Sequence, residues 1–199
     1  MSLQFYHWKK VEEWLTHRLP EFSVEYKKHS KLHRFVGKVA FFMNYMTLFT
    51  ATYPDLWMPD VSIEKQRIPN VLQHEAVHLI DQATFFDIFP NGSKKLNSLM
   101  FYFLYFIPQV FSVLSILAIF NIWWILCLAF LAPLPSPFRM ISELRGYRRS
   151  RELGVDLDKI EKSFTTGKYY FMWPFKRHIR KLLMKDSPYK KEMDLIYED

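Results

Sequence analysis

The sequence predicts an α+β fold, interrupted by an inserted hydrophobic helical hairpin. Apolar residues recur at helical spacing near the beginning, in the middle and near the end of the 199-residue chain. A stretch rich in β-branched and aromatic residues separates the first two of these helical patterns. No charged residue occurs from Leu96 to Phe138, although both flanks are rich in Lys and Arg. We therefore divide the chain into one domain, residues 1–95 and 139–199, and an apolar insertion, residues 96–138.

The first predicted element is an amphipathic helix from Phe5 to Leu19, which Pro20 ends. Four scattered histidines, without the spacing of metal ligands, are predicted to lie on the surface. The apolar side of the helix consists of Phe5, Trp8, Val11, Leu15 and Leu19. The four histidines are His7, His17, His29 and His33.

Arg34 to Pro54 is predicted to form two strands, divided near Asn44, because β-branched and aromatic residues dominate it. The following "YPDLWMPD" is predicted to be a loop, since its two prolines interrupt a sheet. Asp60 or Ser62 is a candidate cap for the next helix.

The central helix carries His74-Glu75-Ala76-Val77-His78, an HExxH sequence. Pro69 suits its first turn, and its apolar stripe has helical spacing. His74 and His78 then lie one turn apart on one face, so both imidazoles can bind one Zn²⁺. Glu75 points aside, where it can accept a proton from a zinc-bound water. The alternative is an ordinary helix with two surface histidines.

The uncharged run after this helix is longer than the roughly 20 apolar residues that span a bilayer. We expect two passes, Leu99 to Phe120 and Ile122 to Pro137, with Asn121 at the turn. Positive residues on both flanks place both ends on the cytoplasmic side. They are Lys94, Lys95, Arg139, Arg145, Arg148, Arg149 and Arg151. The alternative is a helical hairpin buried in a soluble domain or oligomer.

The net charge of +7 indicates either a solvated basic surface or attraction to anionic lipid or nucleic acid. No basic stretch carries a nucleic-acid motif, so we expect membrane lipid and no nucleic acid as a partner. The single cysteine, Cys127, allows no disulfide within one chain and is compatible with a reducing compartment. The beginning of the chain does not have the pattern of a signal peptide.

Three helical patterns follow the apolar run: Arg139 to Gly154, which contains Glu143, Val155 to Phe164, and the basic Phe175 to Lys185. The last of these either lies on a membrane surface or packs its apolar residues onto the domain. Those apolar residues are Ile179, Leu182 and Leu183.

A catalytic zinc site needs a third protein ligand and one open position. A third His on the same segment is not available, because Asp81 and Thr84 stand at the relevant places. Glu143 is the better candidate. HEAVH followed by a glutamate helix resembles the gluzincin zinc metallopeptidases, most closely the minigluzincins, over about Phe5 to Gly154. The resemblance implies a small zincin-like domain formed by a helix, a short sheet, the HExxH helix and the glutamate helix.

Many gluzincins carry an Asp four residues after the ligand Glu, to orient a zinc histidine. Tyr147 stands there in this chain. It shares a helix face with Glu143, so it can hydrogen-bond into the site or donate to an oxyanion. Asp81, one turn after His78, is a candidate for the orienting role.

These observations predict a membrane-associated zinc metallopeptidase with its catalytic face in the cytoplasm. Glu75 would be the general base, and a peptide or protein would be the substrate. A strand from "MTLFTATYP" is expected to bind an extended peptide by β-addition. The alternative is a non-catalytic membrane or assembly protein that retains a zincin-like fold, with or without the metal as a structural element.

Overall fold

The computed structural model describes residues 3–39, 45–59, 69–132, 134–166 and 172–196. The described part is mostly helical and contains a three-stranded sheet, in agreement with the predicted α+β class. The α-helices are α1 (Leu3–Arg18), α2 (Lys31–Val39), α3 (Pro69–Thr84), α4 (Lys94–Tyr105), α5 (Pro137–Glu152), α6 (Leu157–Thr165), α7 (Lys176–Leu183) and α8 (Lys190–Leu195). The strands are β1 (Ser23–Tyr26), β2 (Thr50–Thr52) and β3 (Asp55–Met58).

The predicted first helix is confirmed as α1, and its apolar stripe faces the main core. Trp8, Val11 and Leu15 are at most 1% exposed. They pack with the apolar residues of the sheet and of α3. Burying a side chain of this size stabilises the fold by about 1.5–3 kcal/mol, so this stripe is a main reason why α1 lies on the core.

The sheet differs from the prediction of two strands between Arg34 and Pro54. Its order is β1-β3-β2, with β1 parallel and β2 antiparallel to β3. The predicted loop "YPDLWMPD" contains β3, and Tyr53 and Pro54 form the turn between β2 and β3. β1 lies in a stretch whose own sequence gives little indication of a strand. Its parallel partner, β3, is distant in sequence, so local patterns do not indicate the pairing. The boundary at Asn44 and the caps Asp60 and Ser62 lie outside the described residues.

Residues 31–39 are helical, so the prediction of a strand there is wrong. Short apolar segments with β-branched residues suit either state, and tertiary packing decides between them. The prediction that His33 lies on the surface is also wrong. Its side chain is buried, and its ring centroid is 4.2 Å from that of Trp57.

The HExxH helix is confirmed as α3, which lies at the centre of the fold. Leu72, Ala76, Leu79 and Ile80 are fully buried. The helix ends at Thr84, because the three following residues have positive φ angles of 50°, 60° and 63°. This turn brings Asp87 to Tyr189 Oη, at 2.9 Å.

After α4 the uncharged run continues as two 3₁₀ helices, Gln109–Ile119 and Ile122–Leu131. They pack against each other, with ring centroids of Phe111 and Phe130 5.6 Å apart. The break between them falls at Phe120 and Asn121, where Asn121 Oδ1 accepts from the backbone N–H of Trp123 at 3.0 Å. Many of their apolar side chains are exposed. We call residues 109–131 the apolar segment.

Within the described ranges, no single helix has both the length and the apolar character to cross a bilayer. α4 and the first 3₁₀ helix satisfy these two criteria only as a pair, and they are bent by 81° at the break between them.

The helices after the apolar segment form a second core, and the three predicted helices there are confirmed as α5, α6 and α7. Asp156 caps α6 by accepting from the backbone N–H groups of Asp158 and Lys159, at 2.8 and 3.0 Å. Ile179 and Leu183 of α7 are fully buried. Of the two alternatives for this basic helix, packing onto the domain is the one observed.

Several arginines of the flank after the apolar segment have partners inside the domain. Arg149 is 1% exposed and donates to Gln73 at 2.6 Å and to Asp194 at 2.7 Å. Arg148 donates to the Leu182 carbonyl at 3.0 Å, and Arg151 to the Leu183 carbonyl. Their charges therefore serve the packing of α5 against α7, α3 and α8.

A buried ion pair links α3 to α5. Asp81 is fully buried and accepts two hydrogen bonds of 2.7 Å from Arg145. The hydroxyl of Tyr189 adds a third at 2.9 Å. Burial disfavours the Arg145 cation, but the Asp81 carboxylate outweighs this effect and raises the pKa of Arg145. The pair therefore holds the two helices together.

We expect Asp81→Asn to lower the free energy of unfolding by about 3–5 kcal/mol, because it leaves the Arg145 charge partly buried without its bidentate partner. Asp87→Asn is the matched control, since Asp87 has the same two partners but is 46% exposed in its side chain. Denaturant unfolding of both variants measures the difference. Equal stability of the two variants would contradict the role of this ion pair.

Candidate metal centre

His74 and His78 lie on one face of α3, as the HExxH spacing predicts. Both are buried, and their Nε2 atoms are 3.1 Å apart. The two rings meet edge to face, with centroids 4.8 Å apart. The two nitrogen atoms therefore converge on one point beside α3.

α5 brings Glu143 to the same point. Its Oε2 atom is 3.7 Å from Nε2 of His74 and 3.8 Å from Nε2 of His78. Ligand bonds of 2.0–2.2 Å in a tetrahedral zinc site place neighbouring ligand atoms about 3.3–3.6 Å apart. The three ligand atoms are 3.1, 3.7 and 3.8 Å apart, just outside this range, and form a buried cluster that can hold a metal ion.

Two serines of α5 face the other nitrogen atoms of the histidines. Ser150 Oγ is 3.0 Å from Nδ1 of His74, and Ser142 Oγ is 3.2 Å from Nδ1 of His78. Ser150 Oγ also donates to the Gly146 carbonyl at 3.5 Å, which leaves its lone pair to accept the His74 N–H. Protons on Nδ1 leave the Nε2 lone pairs directed at the cluster.

These serines occupy the orienting position that the sequence analysis assigns to Asp81. Both carboxylate oxygens of Asp81 bond to Arg145, and one also accepts from Tyr189. Asp81 acts on His78 through its charge, which favours the protonated imidazole. Its structural role is the contact between α3 and α5.

Tyr105 at the end of α4 completes the surroundings of Glu143. Its hydroxyl donates to Oε1 of Glu143 at 2.8 Å. The guanidinium of Arg139 lies 5.3 Å from the centroid of the Tyr105 ring. Because Tyr105 occupies Oε1, it leaves Oε2 as the oxygen that faces the two histidines.

Gly146 permits the close approach of α5 to His74. A Cβ atom at this position would lie 2.8 Å from Nε2 and 2.9 Å from Cε1 of His74, closer than two such atoms can approach. The metal-facing side of α5 thus carries Glu143, Gly146, Tyr147 and Ser150, at the i, i+3, i+4 and i+7 spacing of one helix face.

Tyr147 packs its ring edge against His74, with centroids 4.6 Å apart. It lines a cavity of about 530 Å³ that also exposes the metal cluster and Glu75. The cavity is lined by Thr47, Leu48, Phe49, Thr50, Ala51, Asn70, Val71, His74, Glu75, His78, Gln82, Phe101, Tyr102, Tyr105, Phe106, Arg139, Ser142, Glu143, Tyr147, Ser150 and Val155.

Glu75 lies on the cavity wall, partly exposed, between the two histidines in sequence. A buried cation accompanies it: Lys27, after β1, is fully buried. Burial lowers the pKa of the Lys27 ammonium to about 8, and the charge of Glu75 acts in the opposite direction.

Two of the cluster residues, His78 and Glu143, have pKa values that depart from their ordinary values. Burial opposes protonation of His78, but the carboxylate of Glu143, with Glu75 and Asp81, outweighs it and raises the pKa of His78 to about 9. Burial alone would raise the pKa of Glu143, and hydrogen bonds and charge from His74 and His78 hold it well below its usual range. Metal binding at this centre must therefore release protons from imidazole nitrogen.

Sequence reasoning did not identify Ser142, Ser150, Gly146, Tyr105 or Lys27. Gly146 had a signal, since a glycine inside a helix is unfavourable unless packing requires it. The two serines could have been found by extending the helix face of Glu143. Tyr105 and Lys27 come from distant segments, and only the tertiary structure brings them to the site.

We expect Gly146→Ala to lower metal affinity at least about ten-fold, because the added methyl group displaces His74 from its position. The variant should remain folded, since alanine is the better helix former by about 1 kcal/mol. Zinc titration with a competing chelator measures the affinity, and circular dichroism reports the fold. Ile141→Ala, at an exposed position of the same helix, is the control. Wild-type affinity in Gly146→Ala would contradict the close approach.

Comparison of the chain with protein-family models, with curated proteins and with solved structures finds no match. The functional conclusion therefore depends on the geometry of the centre and on the chemistry of its side chains.

Proposed function

We propose that the chain is a zinc-dependent metallopeptidase associated with a membrane. The observation that carries this proposal is the buried set of His74, His78 and Glu143, placed beside Glu75 at a cavity. Two imidazoles and one carboxylate are the ligand set of many hydrolytic zinc sites, which keep a fourth position for water or substrate. The resemblance of the HEAVH and glutamate helices to minigluzincins supports the same activity.

Zinc bound here would polarise the scissile carbonyl and lower the pKa of the attacking water toward 7. Glu75 accepts the proton of that water and passes it to the leaving amine. Ser142 and Ser150 keep the histidine rings in the orientation for binding, and Tyr105 orients Glu143. Tyr147, packed on His74, presents its hydroxyl to the negative charge that develops on the carbonyl oxygen.

The edge strand β2 supplies a backbone for the substrate. β2 is at one end of the sheet order, and residues 47–51 line the cavity. The Ala51 carbonyl already accepts from Gln82 at 3.1 Å and from Tyr102 at 3.0 Å. An extended peptide would therefore pair with the backbone of residues 48–50, just before Ala51.

The two chain ends that flank the apolar segment are joined by a hydrogen bond, which supports membrane association through a hairpin. Ser136 Oγ donates to the Ile107 carbonyl at 2.7 Å, so the chain leaves and rejoins the domain at one place. An entry into a bilayer would then bring both ends back to the same side, which we propose is the cytoplasmic one. The longer 3₁₀ helix has 11 residues, equivalent to about 22 Å, against roughly 30 Å for a hydrocarbon core. Asn121 would lie deep in the membrane.

We expect Glu75→Gln to abolish hydrolysis of an unfolded protein substrate while one zinc per chain remains bound. The substitution is nearly isosteric and removes the proton acceptor, which contributes about 10²–10⁴-fold to rate. His74→Ala and Glu143→Ala should instead lose the metal. Elemental analysis and peptide release from a fluorescent unfolded protein measure the two properties.

Loss of zinc in Glu75→Gln would assign Glu75 as a ligand and contradict its role as base. Full zinc occupancy in His74→Ala would refute the site. A wild-type protein that holds zinc but hydrolyses nothing would favour the non-catalytic alternative.

We expect the chain, expressed without detergent, to fractionate with membranes, and Leu117→Arg to weaken insertion by about 2.5–3.5 kcal/mol. Ile88→Arg, at an exposed position outside the apolar segment, is the control. In a Cys127→Ala background, single cysteines at Ser93 and Asp158 should both be labelled from the cytoplasmic side, and one at Asn121 should not. A soluble monomer, or labels at Ser93 and Asp158 on opposite sides, would contradict the hairpin.

A further inference from the structure

α4 presents two different faces. On one face Asn97, Ser98 and Phe101 are buried, and Asn97 Nδ2 donates to the Ala83 carbonyl of α3 at 2.8 Å. On the opposite face Leu99 is 67% exposed and Phe103 is 53% exposed. The same helix therefore forms a wall of the metal cavity and an outward apolar surface that continues into the apolar segment.

Two apolar side chains that line the cavity are also strongly exposed to the outside. Phe106, just after α4, lines the cavity and is 50% exposed. Leu48, before β2, also lines the cavity and is 45% exposed. We call these two partly exposed lining residues the apolar rim of the cavity.

The interior of the cavity has the same character. Its walls between the metal cluster and the rim carry mainly apolar and aromatic side chains. Among the described residues that line it, Glu75, Glu143 and Arg139 are charged. Glu143 belongs to the metal cluster, Glu75 is the proposed base, and Arg139 stacks on Tyr105. The side chains flanking a bound scissile bond would thus meet apolar surface.

We propose that the substrate is a hydrophobic polypeptide segment that enters the metal cavity over the rim formed by Leu48 and Phe106. This inference rests on the proposed peptidase function and specifies its substrate class. The residues on either side of the cleaved bond are apolar, and Phe106 and Leu48 determine this specificity. The segment can come from a bilayer or from an unfolded protein, because both sources present the same apolar chemistry.

The test uses zinc-loaded Glu75→Gln in detergent, so that binding is measured without hydrolysis. Two fluorescent peptides of equal length share lysine ends and differ only in their centre, Leu-Phe-Val-Leu against Ser-Gln-Thr-Ser. We expect the apolar peptide to bind at least about ten-fold more tightly, the minimum discrimination of an apolar pocket. Adding Phe106→Lys should reduce its affinity by about the same factor, whereas Phe103→Lys should not.

Phe103→Lys is the matched control because it adds the same charge to the same apolar surface without lining the cavity. Both variants are measured in the same detergent, so partition of the peptide into micelles affects the two measured affinities equally. Zinc content verifies folding, and Leu48→Lys replaces Phe106→Lys if the latter loses zinc. Repeating the measurement with vesicle-embedded and with free peptide separates the two sources of substrate.

Equal affinity for the two peptides, or equal effects of Phe106→Lys and Phe103→Lys, would overturn the inference. Hydrolysis by the wild type is measured separately. An active peptidase without apolar preference contradicts only the substrate class. If the chain prefers the apolar peptide but cleaves neither peptide, the role of the apolar rim in binding is supported and the proposed peptidase reaction is contradicted.

Discussion

The whole arrangement depends on the close approach of α3 and α5. Three ligand atoms from two helices can meet at one point only if the helix surfaces nearly touch there. Gly146 makes this possible on the side of His74, and the buried pair of Asp81 and Arg145 fixes the separation about two turns further along α3. A stabilising contact and a functional site are thus built from the same two helix faces.

The carboxylates of this contact have separate tasks because their surroundings differ. Glu143 faces imidazole nitrogen and one phenol, so its second oxygen stays directed at the metal position. Asp81 faces a guanidinium and another phenol, which consume its hydrogen-bonding capacity in holding the helices. Glu75 keeps access to the cavity, and its charge acts on the buried Lys27 ammonium. Neighbouring groups, more than residue type, assign each role.

Local patterns predict the helices well, because the apolar side of α1 and the HExxH spacing of α3 depend on residues within a few turns. The proximity of Glu143 to the histidines was predicted from its place on a later helix and from the resemblance to gluzincins, because local patterns do not relate α3 to α5. β1 was missed because its strand identity depends on a parallel partner some 30 residues away. α2 was misassigned because its apolar residues suit a strand equally well. Tyr105 and Lys27 approach the site only through tertiary packing.

The hydrogen bond between Ser136 and Ile107 has a consequence for the evolution of the chain. It joins the two ends of the chain that flank the apolar segment. The length of the segment therefore has little effect on the packing of the domain. The entropy of closing a loop grows only logarithmically, by about 0.6 kcal/mol for each doubling of length. Insertions and deletions within the segment can therefore change its length while the geometry around the two histidines stays the same. The segment can vary as a module.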